Sequence, residues 1–176
     1  SLMLGFTASA ISDDEARHRF LGLVEGEALT EPRLIRYTTG RRKRVWVNNC
    51  VALSLASGFV EPLESTSIHL TMIAITRLLQ LFPFGGSTPA LARRFDDLAQ
   101  REVEKVRDFV ILHYVLNQRP EPFWRRQREM ELPASLAERI AVWREAAHAW
   151  QGVDDLFRVD SWVQVMLGQR LEPQAY

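Results

Sequence analysis

A predominantly helical α+β chain is what this sequence predicts, and three observations predict it. Apolar residues recur at helical spacing through nearly everything after residue 65, with recognisable caps. The β-prone runs are short and confined to the first 50 residues. The length of 176 residues, with 47% apolar and 25% charged side chains, suits one globular core.

The elements follow in order. Residues 2 to 8, LMLGFTA, read as a short strand. Ser12-Asp13-Asp14-Glu15 reads as a capping box: Ser12 satisfies a free amide, Glu15 reaches back, and helical spacing runs through Ala16, Phe20, Leu21 and Val24 to Gly26. Arg33 to Thr38 and Val45 to Val47 are β-prone runs around Thr38-Thr39-Gly40 and are expected to pair as a hairpin. The basic run Arg41-Arg42-Lys43-Arg44 then lies on a solvated turn. From Ser65, Ile68, Met72, Ile73, Ile75, Leu78, Leu79 and Phe82 are apolar on nearly every face, which predicts a buried helix ending at Pro83 and Gly85-Gly86. Thr88 and Pro89 open a long spine helix carrying Leu91, Phe95, Leu98, Val106, Phe109, Val110 and His113. After the breaker-rich 117–122, helices are expected near Phe123-Trp124, from a Ser135 cap, and from Ser161. Trp143, Trp150 and Trp162 fall at core spacings, Cys50 is expected to be a small buried residue, and His69 to pack in the core or against polar neighbours.

Charge and composition narrow the partners. Twenty-two basic and 22 acidic residues cancel, which argues against nucleic acid and anionic membranes. Residues 68–82 contain His69 and Arg77 and fall short of the roughly 20 apolar residues of a membrane span. Cys50 is the single cysteine, so neither an intramolecular disulfide nor a cysteine-built zinc site exists, and a cytoplasmic protein is expected. No His, Asp and Glu cluster has metal-ligand spacing. The first residue is Ser1, and a hairpin with one loose strand makes no stable sheet alone. Both facts lead to the expectation of a piece of a longer protein.

The chemistry concentrates in VEPLESTSIH, residues 60–69. Pro62 fixes one dihedral and biases Glu61 to an extended form, so the passage into the helix is stiff. Ser65, Thr66 and Ser67 open that helix, where unpaired amides and a partial positive charge suit an anion. Read from spacing alone, Glu61 and Glu64 could equally do no more than complement the helix N-terminus.

The run NNCVALSLASGFVEPLESTSIHL resembles the flavin-dependent tryptophan halogenase family. The resemblance extends in order through Ile11-Ser12-Asp13-Asp14-Glu15-Ala16, through Arg107-Asp108-Phe109-Val110-Ile111-Leu112-His113-Tyr114, through Pro122-Phe123-Trp124-Arg125, and to Ser161-Trp162-Val163-Gln164-Val165-Met166-Leu167-Gly168-Gln169 near the end. It implies the C-terminal portion of an FAD/NAD(P)-binding, flavin-monooxygenase-like fold. Residues 1–60 would complete a larger mixed sheet, and 61–176 would form the helical C-terminal region.

The resemblance also implies an activity. Reduced FAD, supplied by a separate flavin reductase, would use O2 to oxidise chloride or bromide and halogenate tryptophan or another electron-rich aromatic. Glu64 would be the catalytic carboxylate, Thr66 and Ser67 the halide site, and Pro62 and Ser65 the residues bordering the flavin. His113, Tyr114, Phe123 and Trp124 would contact the substrate ring.

Departures from the family's pattern set the remaining expectations. The chain has no Gly-x-Gly-x-x-Gly, no paired-tryptophan signature and no counterpart of the family's catalytic lysine. Asn48 stands where many members have glycine, and Ser67 where the tryptophan-specific ones tend to have glycine. The segment from Tyr114 to Trp124 is a residue shorter than usual. The expectation is therefore a piece inactive alone. The alternatives are a helical interaction or homodimerisation module and a related flavin monooxygenase that hydroxylates.

Overall fold

Thr88 and Pro89 start the longest element. In the computed structural model, which describes residues 10–61, 66–153 and 155–174, the Thr88 hydroxyl accepts the Leu91 amide at 3.3 Å and Pro89 takes the first helical position. This helix runs without interruption to Val115. The chain divides into two units, Ser1–Thr38 and Thr39–Tyr176.

In the first unit, α1 (Asp13–Gly22) is capped by Ser12, whose hydroxyl accepts the Glu15 amide at 3.2 Å. The reciprocal half of the expected capping box is replaced by an ion pair from Glu15 to Arg19, one turn on. Arg36 pairs with Asp13 and Arg17 with Glu31. Residues 33–38 form no strand. The strand expected over residues 2–8 lies outside the described residues.

The second unit begins with two small ladders. Strand β1 (Gly40–Arg41) pairs antiparallel with β4 (Gly58–Phe59), and β2 (Trp46–Val47) pairs antiparallel with β3 (Cys50–Val51). The hairpin expected between Arg33–Thr38 and Val45–Val47 is therefore corrected. The reversal is made by Asn48-Asn49, with Asn48 at φ 54°, a left-handed conformation that asparagine tolerates well. A Cβ at Gly58 would lie 2.9 Å from the Arg41 backbone, so β1 can approach only a glycine. Of the basic run, Arg42, Lys43 and Arg44 are exposed while Arg41 pairs with Glu104 of the spine at 3.2 Å; just beyond it, Asp96 accepts the Val45 and Trp46 amides at 2.8 and 3.0 Å.

The helices are α2 (Thr66–Gln80), α3 (Pro89–Val115), α4 (Pro122–Arg128), α5 (Ala134–Ala146) and α6 (Val159–Gly168). Two apolar clusters form along α3. Trp46 and Val45 pack on Ala92 and Phe95 near its start. Phe109, Leu112 and Leu116 meet Leu136, Ile140 and Trp143 of α5 and Trp162 and Met166 of α6 near its end. Phe109 stacks on Phe157 with ring centroids 3.8 Å apart, and the Trp143 indole N–H donates to the Leu171 carbonyl at 2.7 Å.

Four further expectations change. Helix α2 is not buried all round: Ile68, Met72, Ile75, Leu79 and Phe82 remain exposed, with Ile68 and Leu79 each 67% accessible. Their spacing places them on one stripe, while Ala74 and Leu78 pack toward the Phe95 cluster. Cys50 and His69 are exposed rather than packed inside. Ser135 does not cap α5, which starts from Pro133 and Ala134; its hydroxyl donates instead to the buried Asp108 of α3. Helix α6 begins at Val159, two residues before Ser161.

Candidate functional site

Thr66 opens α2 and is buried, with Ser67 half-buried beside it. Both border a cavity of about 50 Å³ that Gly58, Glu61, Glu102 and Val106 also line. Its floor is α3 and its wall is β4, so the glycine that lets β1 approach also shapes this space. Among the described residues two acidic ones, Glu102 and Glu61, line the cavity. Glu102, buried on α3, pairs with Arg77 of α2, which offsets its charge. Glu61 accepts a hydrogen bond from the Tyr114 hydroxyl. Pro62, Glu64 and Ser65 lie outside the described residues.

The second group of expected site residues sits where α3 ends and α4 begins. Tyr114 is in the last turn of α3, and Phe123 and Trp124 are in the first turn of α4, started by Pro122. Their rings form a half-buried trio. The Tyr114 and Trp124 centroids are 5.4 Å apart at a 39° tilt, Phe123 meets Trp124 edge-on at 5.0 Å, and Tyr114 meets Phe123 at 6.4 Å. The Arg119 guanidinium lies 5.6 Å from the Trp124 ring centroid. Arg128 fixes the turn between the helices by donating to the Asn117 and Arg119 carbonyls at 2.7 and 2.8 Å.

His113 does not join the trio. Its Nδ1 lies 2.8 Å from the Phe109 carbonyl one turn back, and its ring meets Phe109 edge-on at 4.9 Å. Of the expected substrate contacts, the structure thus brings together Tyr114, Phe123 and Trp124.

Glu61 is the residue whose part the spacing did not disclose. Through Tyr114, 53 residues further along the chain, it joins the two groups. The only advance signal was its position before Pro62, which restrains its backbone. Arg119 was likewise unsignalled, because its partner ring is brought to it by the turn. Among the described residues no group of three His, Cys, Asp or Glu side chains could hold a metal ion. No described helix is long and apolar enough to cross a membrane.

Comparison with known proteins bears on this arrangement. The family model for tryptophan halogenases matches residues 4–176. Tryptophan 7-halogenase RebH of Lentzea aerocolonigenes is 34% identical over 141 residues, covering 79% of this chain and 27% of that protein. Among solved structures, Xcc4156, a flavin-dependent halogenase from Xanthomonas campestris, superposes with a TM-score of 0.91 at 42% identity, covering 97% of this chain and 34% of that one. BrvH, a flavin-dependent halogenase from Brevundimonas sp. BAL3, gives 0.89 at 42% identity, covering 97% of this chain and 35% of that one. The chain spans about a third of the length of these solved relatives and about a quarter of RebH.

Proposed function

Because the chain belongs to the tryptophan halogenase family, we propose that it supplies the ring-binding and halide-side part of a flavin-dependent halogenase acting on tryptophan or another electron-rich aromatic. The observation that carries this reading is the union of two expected groups through one hydrogen bond: the Thr66–Ser67 cavity and the Tyr114–Phe123–Trp124 trio meet at Glu61 and Tyr114.

The chain by itself does not fit an FAD. The cavity at Thr66 measures about 50 Å³, against the roughly 300–1,000 Å³ of a cofactor-sized pocket, and no Gly-x-Gly-x-x-Gly is present. Activity then requires an FAD-binding region of the kind for which the longer relatives have room. FAD, reduced by a separate flavin reductase, would with O2 supply the oxidation of chloride or bromide there. Pro62 and Ser65 would border that flavin. The exposed stripe of Ile68, Met72, Ile75, Leu79 and Phe82 is the surface on which such a region would pack.

This chain's own residues would then act as follows. The amides at Thr66 and Ser67, at the positive end of α2, hold the halide. Glu64 orients the oxidised halogen or accepts the proton leaving the ring carbon that is attacked. Tyr114, Phe123 and Trp124 hold an indole-like ring by stacking and edge contacts and shield it from water.

The test joins this chain, in place of the matching third of Xcc4156, to the rest of that protein. Indole, bromide, FAD and a flavin reductase are then supplied. A product carrying the bromine isotope doublet supports the reading, and a hydroxylated product would mark a flavin monooxygenase instead. The chain alone is expected to be inactive, and micromolar FAD binding by it would contradict that part.

The exposed stripe on α2 favours a second reading, a helical interaction module that pairs with a second copy. Light scattering coupled to size-exclusion chromatography separates the two. A concentration-dependent dimer whose formation leaves the joined protein without turnover favours the module.

A further inference from the structure

Glu61 lies at the meeting point of the two groups. It lines the cavity that Thr66 and Ser67 border, and its carboxylate accepts the hydrogen bond of Tyr114. Tyr114 is thereby held on two sides, by its hydroxyl on Glu61 and by its ring against Trp124 at 5.4 Å and Phe123 at 6.4 Å. The restraint is stiff at both ends. Tyr114 belongs to the spine helix, whose last turns are anchored by buried Leu112 and Leu116. Glu61 precedes Pro62, which narrows its backbone freedom. A hydrogen bond between a phenol and a carboxylate is charge-assisted, so it is directional as well as strong.

We propose that Glu61 is a positioning residue: through Tyr114 it sets the tilt of the aromatic trio, and so decides which carbon of a bound indole-like ring is presented for halogenation. This rests on the functional reading above. In the sequence Glu61 and Glu64 stand three residues apart, on either side of Pro62. Glu61 thus ties the platform that holds the ring to the cavity that Thr66 and Ser67 border. A shift of about 1 Å in such a tie is enough to change rates or outcomes strongly. Loop stability alone would not require the acceptor to engage a residue of the ring-binding trio.

The experiment uses three variants, Glu61→Ala, Glu61→Gln and Tyr114→Phe, together with the Glu61→Ala/Tyr114→Phe pair. The full chain is titrated with indole as the probe, and the 13Cζ resonance of Tyr114 is followed by NMR. The halogenase assembled from the chain is assayed for the ratio of brominated indole isomers and for KM and kcat separately. Glu61→Ala is expected to shift the Tyr114 resonance, weaken indole binding about tenfold, which corresponds to about 1.4 kcal/mol, and change the isomer ratio. Glu61→Gln, which keeps an acceptor, is expected to restore most of the isomer ratio, and the double variant should be no worse than either single one.

An unchanged isomer ratio and unchanged indole affinity in Glu61→Ala and Tyr114→Phe would overturn the proposal, as would additive effects in the pair. So would absence of indole binding by the unaltered chain. If indole binds in a Glu61-dependent way but no halogenated product forms, the positioning role stands and the halogenase reading falls. Should Glu61→Ala melt early, Tyr114→Phe and Glu61→Gln carry the same comparison.

Discussion

Arg139 of α5 and Asp155, sixteen residues later, form a buried ion pair that closes the segment between α5 and α6 onto the spine helix. Lys105 of α3 reaches the same carboxylate at 3.0 Å, and the Gly152 amide donates to it at 2.7 Å. The Arg139 guanidinium lies over the Trp150 and Trp162 rings, 4.7 and 4.4 Å from their centroids. One carboxylate therefore holds together three parts of the core on which the aromatic trio's helix rests.

The first prediction follows from its charge. Burial alone would raise the Asp155 pKa, but the Gly152 amide, Lys105 and Arg139 outweigh it and hold the group below its usual 3.8. A carboxylate depressed in the folded state contributes stability that is complete above its unfolded value and is lost as pH falls through the folded one. Thermal melting should therefore hold steady near neutrality and fall below about pH 4. Asp155→Asn should cost about 3–5 kcal/mol at pH 7, because it leaves Arg139 and Lys105 without their partner, and should flatten the acid dependence. Melting curves of both proteins between pH 7 and pH 3 check it.

A second prediction concerns left-handed residues. Ala147 ends α5 at φ 50° and Asn48 turns the β2–β3 hairpin at φ 54°. Ala147→Gly should stabilise by about 0.5–1 kcal/mol, since glycine adopts the terminal conformation without a Cβ penalty. Asn48→Gly should stay within about 0.5 kcal/mol of the parent, whereas Asn48→Val should cost about 1–3 kcal/mol. Urea denaturation of the three variants would separate these outcomes, and a destabilised Ala147→Gly would contradict the account.

These same residues show what the sequence discloses. Helix α3 was legible because Thr88, Pro89 and a long apolar stripe are local signals that its packing then agreed with. The hairpin was misplaced because Thr39-Gly40 advertised a turn more loudly than Asn48-Asn49, although the latter closes the two-residue loop. The burial of α2 was overestimated because periodicity reports which faces are apolar and not whether a partner covers them. Ser135 read as a cap, but a buried carboxylate 27 residues earlier takes its hydroxyl. At the candidate site, the residue types and order of the Glu64 loop and of Tyr114, Phe123 and Trp124 were legible as a resemblance. The Glu61–Tyr114 bond was not, because no spacing rule reaches across 53 residues.

A third prediction tests the exposed stripe. Met72→Lys and Ile75→Glu replace side chains that are 63% and 45% accessible, so each should change the stability of the chain by no more than about 0.5 kcal/mol. Both should block assembly with an FAD-binding region, since a charge buried there lacks a partner. Melting temperature and co-purification with that region give the two readouts. Loss of stability in the chain alone would show that the face is already covered.

A fourth prediction concerns Gly58. Gly58→Ala brings a Cβ to 2.9 Å from the Arg41 backbone, which should separate β1 from β4 and cost about 1–3 kcal/mol. Because Gly58 also lines the cavity at Thr66, halide affinity should weaken alongside stability. Bromide dependence of turnover, compared with the melting temperature, checks both.

If the Glu64 carboxylate and the aromatic trio together serve halogenation, the product itself reports it. The most direct measurement is mass spectrometry of the products formed from indole, bromide, reduced FAD and O2 by the assembled halogenase and its Glu64→Gln variant. Brominated indole is expected from the parent, with a loss of about 10²-fold or more in the variant. Hydroxylated product from the parent, or bromination undiminished by Glu64→Gln, would contradict it.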